Sequence, residues 1–123
     1  MNGTSANALR EKSCKPCEGG TEPLERDKVE QTLAELNGWD LDEGGKMIRR
    51  KWATRDFKTA VEFVNRVADV AEQEQHHPDL HLTGYRNVTI ELTTHAIDGL
   101  SENDFIVAAK IDDLPVTLKK EQG

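Results

Sequence analysis

Apolar residues recur along the chain with two different periods, and the alternation between them predicts an order of elements. From Arg26 to Asn37, Val29, Leu33 and Leu36 stand four and three apart, which predicts a short amphipathic helix closed by Asn37-Gly38. Two extended pieces follow, residues 39–42 and 46–53, joined by Glu43-Gly44-Gly45, and a hairpin is the simplest arrangement for them. On the second piece Ile48, Arg50 and Trp52 share one face and Met47, Arg49 and Lys51 the other. The strongest helical pattern runs from Asp56 to Gln75, where Phe57, Ala60, Val61, Val64, Val67, Ala68 and Ala71 form a stripe that must lie on a partner such as a sheet. Pro78 disfavours the α conformation at His77, so this helix is predicted to end near His76 and His77.

Beyond the proline, a short extended piece at 80–82 leads through Gly84 into residues 86–94, where Val88, Ile90 and Leu92 alternate with Thr89, Glu91 and Thr93 as in a half-buried strand. Ser101 stands three before Asp104, a capping-box spacing, and the last helix is predicted over 102–113 with Phe105, Ile106 and Ala109 inward. The order αββαββα describes an α+β domain: a four-stranded antiparallel sheet covered on one face by three helices. It occupies residues 21–114. Residues 1–20 are predicted to form a flexible tail, and residues 115–123, which follow Pro115 and end in a polar run, a frayed one.

Length and charge narrow the function classes. A chain of 123 residues suits one domain, and 16 Lys and Arg against 23 Asp and Glu leave a formal charge of −7. Such a surface repels phosphate backbones and anionic bilayers, so neither nucleic acid nor a membrane is an expected partner. No run approaches the length of a spanning segment or resembles a signal-peptide core, which points to the cytoplasm. Cys14 and Cys17 form a single Cys-x-x-Cys amid glycine, proline and charge. Structural zinc needs four ligands and there is no second pair, while a thioredoxin-type site would sit between a strand and a helix. The two are therefore read as reduced thiols on the tail.

The candidate chemistry lies in the histidines. All four, His76, His77, His81 and His95, fall within twenty residues. Glu72 and His76 are four apart on the long helix, where a carboxylate can hold an imidazole in one tautomer. His95 stands at the end of the strand that carries Thr93. If the long helix lies antiparallel across the sheet, its C-terminus and the end of that strand converge and bring three imidazoles around one pocket, a set suited to giving and taking protons. Zinc is the competing use of such a set, but Pro78 spoils His77 and His81 as a helical clamp and no His-Glu-x-x-His occurs, so no metal is expected. His81, between Leu80 and Leu82, is set aside.

Glu72-Gln73-Glu74-Gln75-His76-His77-Pro78, followed by Tyr85 after six residues, His95 after nine more and Asp104 after eight more, resembles the signature of the pterin-4a-carbinolamine dehydratases. The resemblance implies that family's α+β fold and the removal of water from a 4a-hydroxytetrahydropterin, a step of tetrahydrobiopterin recycling, without metal or cofactor. It implies His76 and His95 as acid/base residues and His77 as a substrate-orienting or second acid/base group of the same catalytic set, with Glu72 steering His76, and Thr93, Thr94, Tyr85 and Asp104 among the residues that bind the pterin. It also implies a homodimer or homotetramer. Residues 79–84 lack the aromatic residue that animal members carry after the proline. The Cys14-to-Gly20 segment, Leu82-Thr83-Gly84-Tyr85 and residues 102–111 resemble a bacterial and plastid subgroup that includes carboxysome-associated RuBisCO assembly factors. The alternative expectation is therefore a non-catalytic chaperone whose partner is the RuBisCO large subunit.

Overall fold

A computed structural model of the chain describes residues 6–14, 22–36 and 38–120. Among these, helices α1 (Ala6–Glu11), α2 (Arg26–Leu33), α3 (Phe57–Glu74) and α4 (Glu102–Asp112) accompany strands β1 (Asp40–Leu41), β2 (Ile48–Ala53), β3 (Asp79–Thr83) and β4 (Asn87–Leu92). The strands form one antiparallel sheet in the order β1-β2-β4-β3. Register follows from side-chain alternation. Ile48, Arg50 and Trp52 on β2 stand opposite Leu92, Ile90 and Val88 on β4, and Leu80 and Leu82 on β3 oppose the same Ile90 and Val88. Apart from Arg50, which pairs with Asp112 of α4, that face is apolar and receives the helices. The opposite face carries Arg49, Glu91 and His81, and Glu91 bonds both others, at 2.7 Å to Arg49 Nε and 2.9 Å to His81 Nε2.

The core is a single cluster in which Trp52 stands at the centre, with Trp39 edge-on at 5.8 Å and the Phe63 ring 5.0 Å away. Helix α3 buries Thr59, Ala60, Phe63, Val67, Ala71 and Glu74. This row is shifted from the predicted stripe: Phe63, absent from that stripe, is fully buried, whereas Phe57 is 55% exposed. The start of α3 explains the phase. Asp56 caps it by accepting from the Thr59 amide at 2.8 Å, which fixes the first turn with Phe57 on the outside. Helix α4 is buried almost all round from Asn103 to Ala109, the pattern of a helix lying inside its domain rather than on it.

Described residues toward both ends of the chain depart from the predicted tails. Helix α1 lies where the composition suggests a flexible segment, and its Leu9 is fully buried in the common core against α4. One large apolar residue in six gives no periodicity to read, yet a single leucine suffices to anchor a helix onto a neighbour already in place. At the other end Leu118 bridges Thr54, and the Lys119 amide donates to the Ala53 carbonyl at 2.8 Å. Residues 117–119 thus pair as an extension of the sheet at the end of β2, which supplies the backbone partners that free ends would take from water. Cys17 lies outside the described residues.

Candidate active site

Where α3 ends, Gln75 adopts a left-handed conformation, φ 54° and ψ 38°, and its side-chain amide donates to the Glu72 carbonyl at 2.7 Å. The amides of Gln75 and His76 both return to the Ala71 carbonyl. This turn takes the next residues out of helical phase, and it reverses the predicted pairing. Glu72 does not meet His76. It meets His77, whose Nε2 lies 2.5 Å from Glu72 Oε2 in an exposed pair. His76 instead turns under the helix toward α4, where its Nε2 lies 2.6 Å from Asp104 Oδ1.

Asp104 is the buried anchor of the site. It is fully inaccessible, and its Oδ2 accepts from the Thr94 hydroxyl at 2.8 Å and the Ser101 amide at 3.0 Å. The capping-box role expected of it is real, but the same carboxylate also holds His76. A carboxylate offers only lone pairs, so His76 must present N–H at Nε2, which leaves Nδ1 as the ring nitrogen not committed to Asp104. Thr94 and Ser101 extend the network through a 2.8 Å contact between their hydroxyls.

Strand β4 ends at Leu92, and Thr93 and Thr94 lead into a single 3-10 turn, His95–Ile97. Thr93 donates to the Lys46 carbonyl at 2.5 Å, which ties this loop to the neighbouring hairpin. Strand β2 ends opposite the start of β4 and leads into α3, and β3, which follows α3, starts opposite the end of β4, so α3 runs in the same direction as β4. The C-terminus of α3 and the end of β4 therefore converge. Between them lies an open cavity of about 590 Å³ walled by His76, His77, His95, Thr93 and Thr94, together with Ser13, Cys14 and Asn103. Its size suits a bicyclic small molecule.

The other residues of the expected set stand elsewhere. Glu72 is outside the cavity wall and supports His77 from behind. Asp104 is too deeply buried to touch a ligand and acts through His76. Tyr85 sits at φ 56° in the turn between β3 and β4, 58% exposed, with the Arg86 guanidinium 4.9 Å over its ring, and is not brought to the cavity. Glu74, which the motif spacing leaves without a role, is a buried part of the cavity wall. Burial alone would raise its carboxyl, but the Lys110 ammonium at 2.6 Å and the Cys14 amide at 2.8 Å outweigh that and hold it below the usual range. Cys14 itself is pushed up to about 12, first by burial and then by the Glu74 charge, so its thiol stays protonated. Among the described residues no group of three or more His, Cys, Asp and Glu is arranged to hold a metal ion, and no helix is long and apolar enough to cross a membrane.

Comparison with known proteins places this architecture. A protein of Halorhodospira halophila named as a candidate pterin-4-alpha-carbinolamine dehydratase is 49% identical over 107 residues, covering 87% of this chain and 97% of its own. The Arabidopsis thaliana pterin-4-alpha-carbinolamine dehydratase 2, mitochondrial, is 46% identical over 111 residues, which cover 88% of this chain and 59% of the plant protein. Among solved structures, a transcriptional coactivator/pterin dehydratase from Brucella melitensis superposes with a TM-score of 0.70 at 32% identity, covering 74% of this chain and 96% of the other. A pterin dehydratase-like protein described as a RuBisCO assembly factor in the alpha-carboxysome shares the fold at a TM-score of 0.53 and 21% identity, over 62% of this chain. The model of the family Pterin 4 alpha carbinolamine dehydratase matches residues 22–114, nearly the whole of the sheet and its three covering helices, and the chain belongs to that family.

Proposed function

We propose that the protein is a 4a-hydroxytetrahydropterin dehydratase working by histidine acid/base catalysis. The observation that carries this reading is the meeting of His76, His77 and His95 around one cavity, with His76 Nε2 2.6 Å from the fully buried carboxylate of Asp104. Dehydration breaks the C4a–O bond. The departing oxygen takes a proton and leaves as water, a ring nitrogen gives up a proton, and its electron pair becomes the new C=N bond. No electron is exchanged with a cofactor, so the protein has only to supply an acid at the oxygen and a base at the nitrogen, side by side. Three imidazoles lining one cavity of this size, together with Thr93 and Thr94, meet that requirement. Glu72 steadies His77 at the exposed rim.

The family name and the relatives' names support the same activity. The likeness to the assembly factor, at 21% identity, extends to the fold alone and lends this chain no such role. The test is dehydration of a freshly generated 4a-carbinolamine, followed by absorbance. Wild type accelerates it, and His76→Ala and His95→Ala each lower the rate by roughly 10²–10⁴-fold, the usual worth of a general acid or base. A wild type that leaves the spontaneous rate unchanged, or two variants as fast as wild type, overturns the reading.

A further inference from the structure

Ser13 and Cys14 lie outside the stretch that the family model matches, yet both wall the cavity beside the histidines. Three anchors fix them there. Leu9 is sunk in the core and seats α1 against α4. Lys12 Nζ reaches Glu102 Oε2 at 2.9 Å. The Cys14 amide donates to Glu74 Oε1 at 2.8 Å, and Glu74 is itself 8% exposed and braced by Lys110. Cys14 Sγ lies 3.6 Å from the carbonyl of Asn103, another wall residue.

We infer that the segment Ser13–Cys14 is a specificity-determining wall of the cavity, in contact with the bound pterin, and that Glu74 is the positioning residue that latches it in place. The inference rests on the reading of this cavity as the pterin site. A thiol kept protonated by burial is neither nucleophile nor base there. It presents a small, polarizable, neutral surface, suited to packing against a flat heteroaromatic ring. Because the segment arrives from outside the sheet-and-helix unit, it closes one side of the cavity without belonging to the acid/base machinery, and its bulk limits the ring substituents that fit.

The experiment is kinetic and uses two variants of the full-length chain. Cys14→Phe and Ser13→Phe each raise KM for the pterin about tenfold while changing kcat far less, because the added ring fills cavity space beside the histidines. Ser13 is exposed, so its replacement leaves the fold intact, and an unchanged KM in Ser13→Phe overturns the wall assignment. Unchanged KM in a Cys14→Phe protein of wild-type melting temperature overturns the assignment while leaving the dehydratase reading intact. A wild type that neither binds nor turns over the pterin sinks both.

Discussion

The buried carboxylate at Asp104 makes the sharpest prediction. Asp104→Asn preserves shape and removes one acceptor. The retained amide oxygen belongs where two donors converge, on the Thr94 hydroxyl and the Ser101 amide, because turning the NH2 group toward them would set N–H against N–H. The NH2 group then faces His76 Nε2 and forces the ring to accept there, moving its proton to Nδ1. Three charge-assisted bonds become neutral ones at about 1 kcal/mol each, so the variant loses about 3 kcal/mol of stability. For a chain of this length that is a fall of about 12 °C in Tm. Activity falls further than stability does: with the wrong tautomer the acid/base role of His76 is lost, at roughly 10²–10⁴-fold in kcat/KM. Glu72→Gln is the contrast, since its pair with His77 is exposed on both sides; it changes stability by no more than about 0.5 kcal/mol. Steady-state kinetics, calorimetry and ring nitrogen shifts of His76 measure the three quantities. If Asp104→Asn keeps kcat/KM within about threefold of wild type, or if His76 still carries its proton on Nε2, the argument from Asp104 to tautomer to catalysis is refuted.

Two further outcomes follow from packing and charge. Leu9→Ala empties a fully buried site and costs about 2–5 kcal/mol in urea denaturation, whereas no change would mean that α1 is not seated as described. Glu74 is held below its ordinary value of 4.5 in the folded state, so its stabilisation is present above that value and is lost as pH falls through the folded one. The Tm gap between wild type and Glu74→Gln is therefore widest near neutrality and narrows from about pH 4.5 downward; a gap independent of pH contradicts the latch.

Long-period patterns were legible in the residues and long-range contacts were not. The strands at 48–53 and 87–92 and the helix at 57–74 emerge from alternation and helical spacing, because one sheet face and one helix face must be apolar for the layers to stack. Convergence of His76 and His95 rested on an assumed crossing of the helix over the sheet, which periodicity does not fix. The partner of His76 was not legible. Glu72 is the nearest carboxylate on a continuous helix, and only the left-handed Gln75 sends the ring 28 positions along the chain to Asp104. Asp104 itself reads as a helix-start charge, since spacing reveals its cap and nothing local reveals its burial. The cavity wall at Ser13 and Cys14 was hidden for a different reason: a six-residue helix anchored by Leu9 has no period to detect.

The backbone at Gln75 has a consequence for how this protein can change. A side chain in the left-handed region costs about 1 kcal/mol that glycine would not incur, so selection for heat resistance alone favours glycine at this position. Glycine would also surrender the amide that braces the turn on the Glu72 carbonyl and widen the range of torsions open to it. His76 and His77, adjacent in the chain, are aimed at different carboxylates only because that torsion is held. Robustness and aim thus pull in opposite directions at one residue that itself performs no chemistry, and variants selected for one are expected to drift in the other.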